Sequence, residues 1–114
     1  MRHCLMLDLR DDAALIEEYE ARHRVIWPEV AAHMRNHGVI GMQIYRLGTR
    51  LCMFMETDDA IFDAERMAHA AATDPRLIAW EEEMWRYQVP TPWTPTGTKW
   101  VAAEAIFDLA LQGR

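Results

Sequence analysis

The two clearest strand candidates in this chain are apolar on both sides. In His3–Leu9, HCLMLDL, Cys4 and Met6 oppose Leu5, Leu7 and Leu9. In Arg50–Glu56, RLCMFME, Leu51, Met53 and Met55 oppose Cys52 and Phe54. A sheet with one wet face alternates apolar and polar residues, so both faces of this sheet need cover. The chain has 114 residues, enough for one domain, and at that size buries only roughly 60–70% of its unfolded surface. Helices in so small a fold cover one face. The other must line a pocket, pack on a second copy, or do both; a homodimer packed through its sheets is the expectation.

The remaining elements follow from punctuation and period. After the polar turn Arg10-Asp11-Asp12, Ala13–His23 reads as a helix capped by Asp11 or Asp12, with Leu15, Ile16, Tyr19 and His23 on one face. Pro28 opens a second helix running to about Asn36, which His37-Gly38 stops. Val39–Leu47 and Arg50–Glu56 form a hairpin about Gly48-Thr49. Asp58–Ala71 and Pro75–Tyr87 read as helices, the second capped by Thr73 or Asp74. Pro90–Gly97 is a proline-rich loop, and Lys99–Leu109 contains the fourth strand. The order β-α-α-β-β-α-α-β fits a ferredoxin-like α+β plan: a four-stranded antiparallel sheet with helices on one face.

Composition narrows the partners. Twelve Lys and Arg against 18 Asp and Glu give a formal net charge of −6 without a basic cluster, which argues against nucleic acid or an anionic membrane. No apolar run approaches the ~20 residues of a bilayer span, and the first residues do not read as a signal peptide. Cys4 and Cys52 lie in apolar strands and read as buried free thiols in a reducing cytoplasm. Gly-rich phosphate loops, GxSxG, CxxC and HExxH are all absent, so neither a nucleotide, a metal nor another cofactor is expected. His33 and His37 sit one turn apart, but no third ligand has a suitable spacing.

Candidate chemistry centres on YEARHRVIWPE, Tyr19–Glu29. His23 titrates near neutrality and suits proton transfer; Tyr19 precedes it by one turn on the same face. Either residue could equally serve the core. Trp27, Trp80 and Trp85 are candidate aromatic walls for a small polar ligand with flat C–H faces, such as a monosaccharide. Trp93 and Trp100 flank TPTGTK and would close a pocket mouth or anchor the last strand. Glu29 reads as a first-turn helix-dipole residue, and Glu81, Glu82 and Glu83 as a solvated face.

These stretches together resemble the L-rhamnose mutarotase family. The resemblance rests on the first strand, EYEARHRVIWPEV (Glu18–Val30), HGV (His37–Val39), IYRLGTRLCMFME (Ile44–Glu56) and ATDPRLIAWEEEMW (Ala72–Trp85), nearly the whole chain. It implies a small, cofactor-free, dimeric ferredoxin-like enzyme that interconverts the α and β anomers of a 6-deoxy-L-sugar. His23 matches the family's catalytic histidine and Tyr19 its substrate-contacting tyrosine. Trp80 matches the second residue of a Trp-Trp pair whose first falls on Ala79, and Met42 stands where typical members have a second tyrosine. Tyr45 is near Met42 but belongs to the opposite face. Trp27 and Glu29 are further candidate contacts, Glu29 as a partner that would orient His23 or a water. The segment before Thr73 is longer than in the rhamnose enzyme, and PWTPTGTKW has no close counterpart. Retained proton-transfer residues beside an altered wall point to L-fucose ahead of L-rhamnose. Competing expectations are a cofactor-free ferredoxin-like monooxygenase and a sugar-binding module without catalysis, because fold alone does not fix function.

Overall fold

A computed structural model describes residues 1–113. Its elements are β1 (Arg2–Leu9), α1 (Ala13–Arg24), α2 (Pro28–Asn36), β2 (Val39–Leu47), β3 (Arg50–Thr57), α3 (Ala64–Thr73), α4 (Pro75–Trp85), β4 (Gln88–Val89), β5 (Val101–Ala102) and a short 3₁₀ turn at Leu109–Leu111. The sheet is antiparallel in the order β2-β3-β1-β4, with β5 also paired to β1. This is the ferredoxin-like α+β arrangement expected, with one change in the fourth strand position.

That position is filled in two pieces. Gln88 and Val89 pair with Leu9 and Asp8, whereas Val101 and Ala102 pair with Met6 and Leu5. Both lie along the same edge of β1, and residues 90–100 loop out between them. The strand expected within Lys99–Leu109 is therefore only two residues long, and Gln88–Val89 does the rest of its work. Pro90, which lacks an N–H to donate, marks where the first piece leaves the edge.

Helices α1, α3 and α4 begin where an aspartate caps them. Asp12 accepts from the backbone N–H groups of Ala14 and Leu15, at 3.0 and 3.1 Å. The third helix starts at Ala64 rather than Asp58. Asp58 accepts from Ala60 N in a turn, and Asp63 caps the helix by accepting from Arg66 N at 3.1 Å. Trp27 is extended (ψ 136°), as the residue before Pro28 must be. Gly48 has φ +58°, which suits the first central position of a two-residue type II′ hairpin.

Register sorts the two sheet faces. Leu7 stands opposite Leu51 and both are essentially inaccessible; with Leu9, Tyr19, Met84 and Tyr87 they form the core beneath the helices. On the opposite face lie Cys4, Met6, Cys52, Phe54 and Tyr45. Phe54 is 47% and Tyr45 60% exposed, their rings meeting edge-on at 5.8 Å. Cys4 and Cys52 are free, with sulfurs 3.5 Å apart, and are partly rather than fully buried because they lie on the face that the helices leave open. The helices thus cover one face, and the apolar open face remains bare in a single chain.

Gly38 turns α2 into β2 with φ +88°, and a Cβ there would lie 3.0 Å from the Phe62 backbone nitrogen. Gly38→Ala therefore combines a left-handed backbone with a backbone clash. It should lower unfolding stability by roughly 1–3 kcal/mol, measurable by urea denaturation. An unchanged midpoint would mean that this corner relaxes freely.

Candidate active site

A cavity of about 490 Å³ lies between the helical layer and the covered face of the sheet, within the roughly 300–1,000 Å³ usual for small-molecule sites. Met42, Ile44 and Met53 form its sheet side, and Val30 and Met34 come from α2. Tyr19 and His23 enter from α1, Trp80, Glu81 and Met84 from α4, and Gln88 from β4. Lys99 and Trp100 arrive just ahead of β5. The apolar floor and few polar groups match what a ligand with both hydroxyls and C–H faces needs.

His23 is the best-defined polar group there. Its Nδ1–H donates to the Tyr19 carbonyl at 2.8 Å, one turn earlier in α1. A carbonyl only accepts, so this bond fixes the tautomer and leaves the Nε2 lone pair unprotonated in the neutral ring. Burial holds the imidazole below its ordinary 6.5, partly offset by the bond to Tyr19. The Tyr19 ring lies against it at 4.2 Å, and Trp80 meets it edge-on at 5.7 Å.

Tyr19 is held at its other end. Gln88 Nε2 donates to the phenol oxygen at 3.1 Å, leaving the phenol's own proton available. Burial pushes Tyr19 up to about 12 despite that bond, so the group remains a neutral donor. Gln88 is 2% exposed, and its Oε1 is a buried acceptor without a partner among the described residues. Such an atom costs about 1–3 kcal/mol in lost hydration, an uncommon concession in so small a core.

Of the residues singled out from sequence, Tyr19, His23, Trp80 and Met42 converge on the cavity. Trp27 stands behind Trp80, ring to ring at 5.1 Å, with the Arg76 guanidinium 4.0 Å over its face. Glu29 pairs with that same Arg76 at 3.6 Å rather than orienting His23. Tyr45 pairs with Cys52 on the open face, opposite to Met42. Trp93 is 73% exposed beside Arg50, whereas Trp100 reaches both cavity and core. The acidic run is not simply solvated. Glu83 accepts from Tyr87 Oη at 2.7 Å and pairs with Arg86, and Glu81 pairs with Lys99. His37 Nδ1–H donates to the His33 carbonyl at 2.8 Å.

Sequence reading missed Gln88 and Lys99. Gln88 follows a helix end and precedes Val-Pro, where a lone glutamine carries no periodic signal. Lys99 was visible only as the start of a strand.

The family model for L-rhamnose mutarotase matches residues 2–109. The chain is 44% identical over 111 residues to an L-fucose mutarotase of Xanthomonas campestris pv. campestris, covering 96% of this chain and 88% of that protein. It is 35% identical over 74 residues to the L-rhamnose mutarotase of Escherichia coli O8, covering 65% and 67%. Its fold superimposes on the crystal structure of an L-rhamnose mutarotase from Formosa agariphila with a TM-score of 0.68, over 96% of this chain and 98% of that one at 17% identity.

Because His23 is held below 6.5, a reaction that uses its neutral form should be fully active above that value. The rate should fall as pH drops through the lowered midpoint. A limb of that sense in the pH–rate profile of kcat/KM, absent in His23→Asn, is the expected result. An acid-side midpoint above 6.5 would contradict the burial argument.

Proposed function

The chain belongs to the L-rhamnose mutarotase family, and on that footing we propose that it interconverts the α and β anomers of a 6-deoxy-L-hexose, with L-fucose preferred. The observation that carries the reading is His23. It is a half-buried imidazole with one nitrogen tied to a carbonyl and the other unprotonated, beside a neutral phenol and an indole edge in one cavity. The choice of sugar is supported by the 44% identical L-fucose relative and by Ala79 preceding Trp80, where the resemblance to the rhamnose enzymes implies a second indole.

The chemistry balances with protons alone. His23 Nε2 takes the proton from O1 as the C1–O5 bond breaks, and the imidazolium returns it to O5. Both oxygens are bonded to C1, so a single imidazole serves both. The freed aldehyde turns about its bond to C2, and O5 adds to its other face while the steps run in reverse. Tyr19 donates to a sugar hydroxyl and holds it in place; Trp80 covers an apolar C–H face, with Met42 on the sheet side. Positioning and proton transfer are the sources of rate here.

Saturation-transfer NMR of anomer exchange tests this, with L-fucose and L-rhamnose in parallel. Faster exchange of both, with the larger gain for L-fucose at subsaturating sugar, is the expected outcome. His23→Asn should lower the gain by ~10²-fold or more with the fold intact. Background rates for both sugars with the wild-type protein would overturn the reading.

The active unit in this reading is a cytoplasmic homodimer. It is supported by the bare open face around Phe54 and Tyr45 and by the tail beyond β5, whose Ile106 and Phe107 are 93% and 69% exposed. A radius of gyration of 15.2 Å also exceeds the ~13 Å of a compact chain this long. Light scattering should give twice the 13.3 kDa chain mass, and Phe54→Glu should reduce it toward one. A wild-type monomer at tens of micromolar would contradict the dimer.

A further inference from the structure

The segment that loops out of the fourth strand position brings a charge to the cavity. Residues 90–100 leave the β1 edge after Val89 and return at Val101. A turn from Pro95 O to Thr98 N (3.1 Å) shapes the return, and Trp100 anchors it against the core. Lys99, between turn and anchor, lines the cavity together with Glu81 of α4.

The Lys99 side chain is only 12% exposed, and its Nζ lies 2.5 Å from Glu81 Oε1. Its other near contact is the Trp85 ring face, 4.8 Å from the ring centre. An ammonium has three N–H directions; one goes to the carboxylate and one toward the indole. Burying a charge this far with a single ionic partner among the described residues is costly, and desolvation holds Lys99 below its ordinary range. A staple between loop and helix would be served as well by a solvated pair at the rim. Glu81, 52% exposed, keeps a second oxygen able to accept. The cavity thus presents a donor and an acceptor side by side, one residue along the chain from Trp80 on α4 and from Trp100 in the loop.

We propose that the Lys99–Glu81 pair is a specificity-determining element of this site: Lys99 donates to one hydroxyl of the bound sugar and Glu81 accepts from that hydroxyl or its neighbour. The proposal rests on the sugar-binding reading above and extends it to two residues outside the proton-transfer group. Epimeric hexoses differ only in the direction of such hydroxyls. A charge-assisted pair left unsatisfied by the wrong epimer is how a small pocket rejects it.

The test is a protein-by-ligand cycle. Anomer-exchange kcat/KM is measured for L-fucose and its 2-, 3- and 4-monodeoxy analogues, in the wild type and in Lys99→Met. One analogue should lose about 10- to 100-fold with the wild type but only about 2- to 3-fold with Lys99→Met. The other penalties should be unchanged. Glu81→Gln, which keeps the ammonium, is the second variant and should reduce the same penalty in part. A stapling role would instead lower all four sugars together and leave every deoxy penalty as in the wild type; that result overturns the proposal. If the wild type binds these sugars without accelerating exchange, the mutarotase reading fails, and the same cycle read from Kd by tryptophan fluorescence still decides the role of the pair. A wild type that binds none of them overturns the proposal.

Discussion

One hydrogen bond, from His23 Nδ1 to the Tyr19 carbonyl, organises the candidate site. It uses the spacing of the α-helix itself: residues four apart stand one above the other, so the histidine can bond back to the preceding turn. Its consequence is chemical, because it selects the tautomer and leaves Nε2 as a base. It also sets ring orientation, and the Tyr19 ring, tilted by 49° with its centre 4.2 Å from that of the imidazole, packs beside it. Tyr19 in turn is fixed from the far end by Gln88. The chain from Gln88 through Tyr19 to His23 therefore joins a sheet edge to the catalytic candidate.

That arrangement depends on the split strand. Gln88 belongs to the first piece, and Lys99 and Trp100 precede the second. Had residues 88–102 continued along β1 as one regular strand, the edge would be better paired but the cavity would lose the charge that Lys99 brings. A few ladder hydrogen bonds are given up for polar groups at one end of an otherwise apolar cavity. Gln88 Oε1, buried without a partner among the described residues, shows the same preference for site chemistry over local stability.

Much of this was legible in sequence, for identifiable reasons. The second helix was readable at both ends because Pro28 and Gly38 punctuate it. Tyr19 and His23 could be paired from spacing alone, as could the two apolar faces of β1 and β3. The third helix began six residues late because Asp58 closes a turn of its own, leaving Asp63 to cap. The fourth strand was located only in part: Val101–Ala102 falls within the expected Lys99–Leu109, but Gln88–Val89 was missed, because its pairing with β1 is long-range and a two-residue piece is too short to show a period. Trp80 was a candidate wall on composition and became a matched position through the family resemblance, Met42 was reached only through that resemblance, and Glu29 was drawn off by Arg76, 47 residues away in sequence across α2 and α4. Lys99 and Glu81 pair across 18 residues, between the loop and α4, which local pattern does not reveal either.

The most direct test of the account is a ¹⁵N NMR titration of the His23 ring in the folded protein. The account predicts a protonated Nδ1 and an unprotonated Nε2 at neutral pH, with a midpoint below 6.5. A ring protonated on Nε2, or one that remains imidazolium at pH 7, would contradict it, because His23 would then offer no base to the proton on O1.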